Sequence, residues 1–440
     1  MKNIFSTPIN GDIIKTDLSL DSLFSRFGGI LSREVLYLIM GSLILSAVII
    51  RTDGDAMAPM AFLGMIVLLV TTFYRLDWGF YFFFAIVMLV DQFPPVEFAN
   101  QLITYKVQYL DNVKTLKYLP SISAGVMTPM ELHLFLLFSV WLLIGLAKQN
   151  LGLNRIGAWG LGLLFLFSLI GWLAFGISNG GVFINALWEI RAMFYMVIFM
   201  FFAPQIIQTK THVKALIWIM ILALTYKSIQ ATYFFVTVGG SSFEQIPAFT
   251  SHEDPIFIVA LFALGLGLFL LKAYRAQLAV LLLCLLPLLA GFHVGQRRAA
   301  FAACGTTLCV FLVVLDKQHR RKITMFLIPF LVCFALYLGA FWNSNSAIGS
   351  FAKTIKSGFV TDKSSLSEED YLSNLWRDIE KYNLAVTVRR APIIGVGYGN
   401  KYDQPIKPLE DLWSLDGYVP HNMMLDVIVK SGAIGCFIFW

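Results

Sequence analysis

Ser251-His252-Glu253-Asp254-Pro255-Ile256-Phe257-Ile258-Val259-Ala260-Leu261-Phe262-Ala263-Leu264-Gly265-Leu266-Gly267-Leu268-Phe269-Leu270-Leu271 decides the architecture of this chain. From residue 255 to residue 271 there is no charged side chain, and the run ends at Lys272. Asp254 ahead of Pro255 is a helix start, with a capping side chain and a proline at the first helical position. An apolar helix needs about 20 residues to cross a bilayer, and this run comes close. Comparable runs occupy 34–50, 58–74, 78–92, 131–147, 156–177, 192–208, 214–237, 276–292, 299–315 and 323–341. A further one starts near Ala433 and reaches only Trp440.

Composition agrees with the runs. The 440 residues are 58% hydrophobic and 14% charged, and mean hydropathy is +0.73. Soluble domains carry about a quarter charged residues. The expected fold is therefore all-α: a polytopic integral membrane protein of about 11–12 transmembrane helices with a large outer, periplasmic loop. The five cysteines all fall in apolar spans with no metal-ligand spacing and read as small buried hydrophobes. The first 33 residues lack the apolar core of a cleavable signal peptide, so the first helix is expected to target the chain and stay in it.

Lysine and arginine orient the helices. Fifteen lie on one side: in the N-terminal segment, at Arg75, Lys148, Arg155, Lys210, Lys214, Lys272 and Arg275, and in the Lys317–Lys322 cluster. Seven lie on the other, among them Arg51, Arg191, Arg297 and Arg298. The positive-inside rule places the richer side in the cytoplasm. The net charge of +6 belongs mainly to this asymmetry and does not point to nucleic acid. The expected organisation is a cytoplasmic segment over 1–33, a transmembrane domain over 34–342, and an outer loop over 343–420. Residues 421–440 then form an interfacial helix and the start of a truncated last transmembrane helix.

Ionisable groups are expensive in lipid, so chemistry is sought where the backbone leaves it. The outer loop carries Arg389-Arg390-Ala391-Pro392-Ile393-Ile394-Gly395-Val396-Gly397-Tyr398-Gly399 and closes on Pro420-His421-Asn422. Gly395, Gly397 and Gly399 follow no strand of a βαβ unit, which excludes a dinucleotide loop. Glycine instead permits a sharp turn and close approach to a ligand. His421 opens an apolar stripe at helical spacing. It reads either as a proton acceptor at the membrane edge or as a helix cap. Arg297 and Arg298 sit at an outer hairpin, against the orientation rule; they read as a fork for phosphate oxygens or as headgroup anchors. Arg191 follows Glu189 and reads as a ligand contact, an ion-pair partner or an interface anchor. His252 and Glu253 are candidate sugar contacts, while Asp254 is a helix cap. Lys227, in mid-span, needs a partner or must snorkel. Trp376 to Leu384 reads as an amphipathic helix whose aromatics could stack on sugar rings. Arg377 on it, Arg390 and Asn422 complete the candidate substrate contacts.

The Glu189-Ile190-Arg191 start, His252-Glu253-Asp254, Arg297-Arg298, and Pro392 to Gly399 followed by Pro420-His421-Asn422 come in an order that resembles the O-antigen ligase/polymerase superfamily. The resemblance runs from about Arg191 to the end. It implies a metal-independent glycosyltransferase without cofactor, acting on polyprenyl-diphosphate-linked oligosaccharide at the outer face of the cytoplasmic membrane; direct displacement of the diphosphate would make the transfer inverting. It implies an essential histidine at His421 and essential arginines at Arg191 and at Arg297 or Arg298. Membrane lipids and other polysaccharide-assembly proteins are the further partners it implies; nucleic acid is not among them. Family members continue through at least one full helix after the His-Asn segment, and here Trp440 comes first. Polymerisation of a surface polysaccharide, ligation of finished glycan to lipid A core or protein, and transport of a lipid-linked sugar all remain open at this stage. A carrier would place its polar residues near the bilayer midplane, whereas these candidates gather at the outer face.

Overall fold

The computed structural model describes residues 33–51, 57–91, 94–107, 109–110, 127–149, 153, 157, 159–243, 246, 248–344, 346, 348–360, 368–407 and 417–440. Among these every regular element is a helix and none is a strand. Of the fifteen and seven basic residues counted above, Lys2, Lys15, Arg26 and Arg155 on the richer side and Lys114 and Lys117 on the other lie outside the described residues.

The chain divides into two units, one formed by 1–92 with 100–152, the other by 93–99 with 153–440. The first holds α1 (Arg33–Arg51), α2 (Met57–Tyr74), α3 (Leu76–Leu89) and α4 (Pro129–Ala147). Extended Arg75 separates α2 from α3, and its guanidinium forks onto Asp77 at 2.9 and 2.6 Å. Thr128 and Glu131 form a reciprocal capping box at the start of α4, with Pro129 in the first turn.

The second unit contains α5 (Trp159–Ser178), α6 (Phe183–Ile206), α7 (Lys210–Thr237), α8 (Asp254–Leu271), α9 (Arg275–Leu283), α10 (Leu285–Gly295), α11 (Arg298–Val314), α12 (Lys317–Phe341), α13 (Ser350–Phe359), α14 (Glu368–Arg390) and α15 (Met423–Phe439). Its apolar clusters include a small one in which Leu384, Tyr402 and Val429 join α14, the following loop and α15, and two larger ones. Ile217, Ile221, Leu224, Ile258, Leu261 and Leu288 join α7, α8 and α10. Phe165, Leu169, Ile190, Met193, Tyr398 and Val427 join α5, α6, the glycine run and α15.

The expected apolar runs fall on helices, the one at 276–292 on two. Among the described residues six helices are long and apolar enough to cross a membrane: α4 to α8 and α12. The α9–α10 pair, bent by 58°, makes a seventh if it is one span. The bend falls at Cys284, three residues before Pro287, whose missing N–H and ring interrupt the helix ladder there. The runs at 78–92 and 299–315 form α3 and α11, of 14 and 17 residues.

Three starts also differ. Helix α6 begins at Phe183, nine residues before the apolar run at 192, so Glu189 and Arg191 lie inside the helix and not at its end. Helix α8 takes Glu253 as its N-cap with no side-chain capping bond. Asp254 is turned to another use, a buried ion pair with Lys227 on α7 at 2.5 Å. Helix α15 is one element from Met423 to Phe439, broken inside at Gly432, whose φ of 65° and ψ of −166° leave the helical region.

Candidate active site

One group of polar residues in the second unit collects around α14. This helix has one buried polar edge: Glu380, Asn383 and Thr387 are at most 5% exposed. Each secures a loop. Asn383 donates to the Ile406 carbonyl at 2.7 Å and accepts from the Ile406 N–H. Thr387 accepts from the Asp403 N–H at 2.8 Å. Glu380 takes the segment that leads into α15: both its oxygens accept from the His421 N–H, at 3.2 and 3.1 Å. Its Oε1 also lies 3.1 Å from His421 Nδ1.

A carboxylate accepts only, so the Nδ1 position donates, and Nε2 is left as the basic nitrogen of the ring. The Trp376 ring meets the imidazole edge-on at 5.0 Å, which fixes its plane. Glu380 is buried (6% side-chain exposure) while His421 is 48% exposed. A buried acid thus orients a histidine that water or substrate reaches, the arrangement of a base and its orienting group. The helix cap expected of His421 is made by Asn422 instead: its side chain accepts from the Leu425 N–H at 3.2 Å.

The arginine pair divides in two. Arg298 Nη1 donates to the Ser357 carbonyl at 2.9 Å and to Asn374 Oδ1 at 2.7 Å. Asn374 Nδ2 donates to the same carbonyl at 2.9 Å. Arg298 therefore ties α11 to α13 and to α14. Six residues separate Asn374 from Glu380, a rise of about 9 Å along α14. Arg297 is half-buried, and its Nε is covered without an acceptor. Burial lowers its pKa and the nearby Glu253 partly offsets this; the group stays a cation. Partial burial and then the Arg297 charge hold His252 below the usual histidine range, so it is neutral at pH 7. His252, Glu253 and Arg297 are thus one electrostatic group at the ends of α8 and α11.

A third constellation lies deeper. Glu189 on α6 and Lys430 on α15, both side chains fully buried, pair at 2.9 Å. Glu189 Oε2 accepts from the Gly399 N–H at 2.8 Å, and Lys430 Nζ donates to the Asn400 carbonyl at 2.5 Å. The pair grips the glycine run from both sides. Gly395, Gly397 and Gly399 all have φ between 77° and 87°. The close approach expected of them is made to protein: a Cβ at Gly395 would stand 2.5 Å from the Lys430 carbonyl carbon, and one at Gly399 2.9 Å from the Val182 oxygen. The Val396 and Gly397 N–H groups donate to the Val429 and Lys430 carbonyls at 2.9 Å. Those carbonyls are available because the backbone breaks at Gly432 just beyond.

The remaining candidates are dispersed. Arg191 stacks over the Trp188 ring at 3.9 Å. Lys227 is committed to Asp254. Arg390 pairs with Asp403 at 2.7 Å on the surface, and Arg377 is exposed on α14. Glu380, Lys430, Asn374 and Asn400 were not singled out in the sequence. Lys430 carried a signal, an ammonium within an apolar helix four residues after Asp426. Glu380 carried none that set it apart from the solvated Asp378 and Lys381 beside it. Among the described residues no group of three or more His, Cys, Asp or Glu side chains stands together as a metal cage.

The fold and these groups define a multi-pass helical membrane protein with a polar centre built on an amphipathic helix outside the spans. A family model described as O-antigen ligase matches residues 259–440, in line with the O-antigen ligase/polymerase superfamily. The match includes Arg297, Arg298, Glu380, the glycine run, His421 and Lys430, and stops short of Arg191, Lys227, His252 and Glu253. The family implies glycosyl transfer of the ligase/polymerase type from a lipid-linked oligosaccharide. No curated protein and no solved structure matches the chain.

Proposed function

We propose that this protein polymerises a surface or exopolysaccharide by glycosyl transfer from polyprenyl-diphosphate-linked oligosaccharide at the outer face of the bacterial cytoplasmic membrane. The observation that carries the reading is the buried Glu380 bonded to half-exposed His421 within the segment that matches the O-antigen ligase family. His421 Nε2 takes the proton of the acceptor hydroxyl while the sugar oxygen attacks the anomeric carbon, and Glu380 stabilises the imidazolium that forms. The bond from that carbon to the diphosphate breaks, and the diphosphate leaves with its electron pair. Direct displacement inverts the centre. Arg297, with a covered and unsatisfied Nε, is the group best placed to meet the negative charge of the leaving diphosphate, with Arg191 a second candidate. Arg298 holds the arginine-bearing end of α11 to α14, which carries Glu380. His252 and Glu253 line the same end and contact sugar hydroxyls. The outer location rests on the lysine and arginine asymmetry. The reaction as written needs no metal.

Purified protein in lipid vesicles, given polyprenyl-diphosphate-linked oligosaccharide, is expected to produce a ladder of lengthening lipid-linked glycan that persists in EDTA. Transfer to lipid A core or a protein without a ladder would replace polymerase by ligase. Movement of intact donor across the vesicle with no new glycosidic bond would replace both by a carrier.

A further inference from the structure

The side chains of the Glu189–Lys430 pair are both fully buried, and the proposed reaction does not use the pair. It joins two helices that each carry a proposed reacting group. Glu189 lies two residues from Arg191 on α6, and Lys430 lies on α15, which His421 introduces. Both side chains are inaccessible, so neither reaches a substrate. A buried ion pair is weak support for a fold, since apolar residues of similar size do as well or better. Its value here lies in what else each charge holds. The carboxylate keeps one oxygen for Lys430 and gives the other to the Gly399 N–H. The ammonium divides between Glu189 and the Asn400 carbonyl. Both contacts land in the turn that hydrogen-bonds back to α15 at Val429 and Lys430 and to the start of α6, where the Val182 N–H donates to Gly399 at 2.8 Å. The three segments close a ring: α6 to turn, turn to α15, α15 to α6.

Resting on the functional reading above, we infer that Glu189 and Lys430 are positioning residues for transfer, a charged strut that sets α15 relative to α6 and so His421 relative to Arg191. The donor's grip on the arginines survives its loss, whereas the alignment of base and leaving group does not. Misplacing a reacting group by about 1 Å costs on the order of 100-fold in rate. Charge reversal cannot restore the strut, because a lysine at 189 has no acceptor for the Gly399 N–H and a glutamate at 430 has no donor for the Asn400 carbonyl.

The test uses the full chain in vesicles with polyprenyl-diphosphate-linked oligosaccharide. Single Glu189→Gln leaves the buried ammonium without its ion-pair partner, so the informative variant is Glu189→Gln with Lys430→Gln, which removes both charges of the pair together. Spin labels at Ile184 on α6 and Met424 on α15, both exposed, report the helix relation in a cysteine-free background. The expected result is a folded protein, a broadened or shifted distance between the labels, kcat lower by about 10- to 100-fold and donor KM within about twofold. Glu189→Lys with Lys430→Glu is expected to recover neither distance nor kcat. Unchanged distance with unchanged kcat overturns the inference, as does a changed distance with normal kcat. Failure of the doubly neutral variant to fold also overturns it, since the pair would then hold the fold itself. If unmodified protein makes no transfer product, the functional reading fails and the label distance still decides whether the strut joins the helices.

Discussion

Replacing Glu380 by glutamine removes one charge from the centre of the site and one of the two oxygens that accept from the His421 N–H. The glutamine oxygen still accepts from His421 Nδ1, and its size and burial match those of the acid, so the imidazole keeps its place against Trp376. What is lost is the negative charge beside an imidazolium that forms during proton transfer. A hydrogen bond to a charged group is worth about 1.5–3 kcal/mol against about 1 for a neutral one. The difference, about 0.5–2 kcal/mol, is felt as the ring charges, so transfer slows by about 2- to 30-fold, since 1.36 kcal/mol is tenfold in rate. Donor KM is expected to stay within about twofold, because the group acts after binding. The assay is initial-rate product formation by reconstituted protein, with folding checked by thermal unfolding in detergent. Combining Glu380→Gln with His421→Ala is expected to cost no more than His421→Ala alone, because groups acting as a unit are not additive. A Glu380→Gln variant with the rate of the unmodified protein would refute the pairing as a catalytic device.

Other consequences are equally measurable. Lys227→Met takes the ammonium away from buried Asp254 and is expected to destabilise the fold by about 3–5 kcal/mol; Lys227→Met with Asp254→Leu is expected to regain most of that, and a neutral single variant in a thermal melt would count against a structural pair. Arg297→Lys keeps the charge and loses the fork, so transfer is expected to fall steeply with expression unchanged; normal transfer would reduce Arg297 to an interface anchor. A cysteine at Tyr382, exposed on α14, is expected to react with an impermeant thiol reagent outside intact cells, while one at Gln318 is expected to be spared; the opposite pattern would move His421 to the cytoplasmic face and end the proposed mechanism.

The helices were legible because a charge-free run of this length has few uses in water. Their starts were less so wherever a distant partner neutralises a charge. Helix α6 begins nine residues early because Glu189 is paired with Lys430, 241 residues away. No local pattern carries that information. Asp254 before Pro255 was a sound capping signal, yet a buried lysine on α7 claims the carboxylate. The glycine run was visible as a place of close approach, but what it approaches is α5, α6 and α15, and spacing alone cannot name the partner. His421 stood out through its proline, its apolar stripe and its position after the glycines. Glu380 did not, because on an amphipathic helix an acid facing a loop and one facing solvent look alike until the loop is placed.

The most direct measurement compares His421→Ala with His421→Gln in the vesicle transfer assay. A general base contributes about 10²–10⁴-fold, and an amide can hold the hydrogen bond to Glu380 but cannot take the acceptor's proton. Both variants are therefore expected to fold, to bind the lipid-linked donor and to fall below detectable product. A His421→Gln variant that builds the ladder at the normal rate would contradict the catalytic role and leave the arginines as the main catalytic groups.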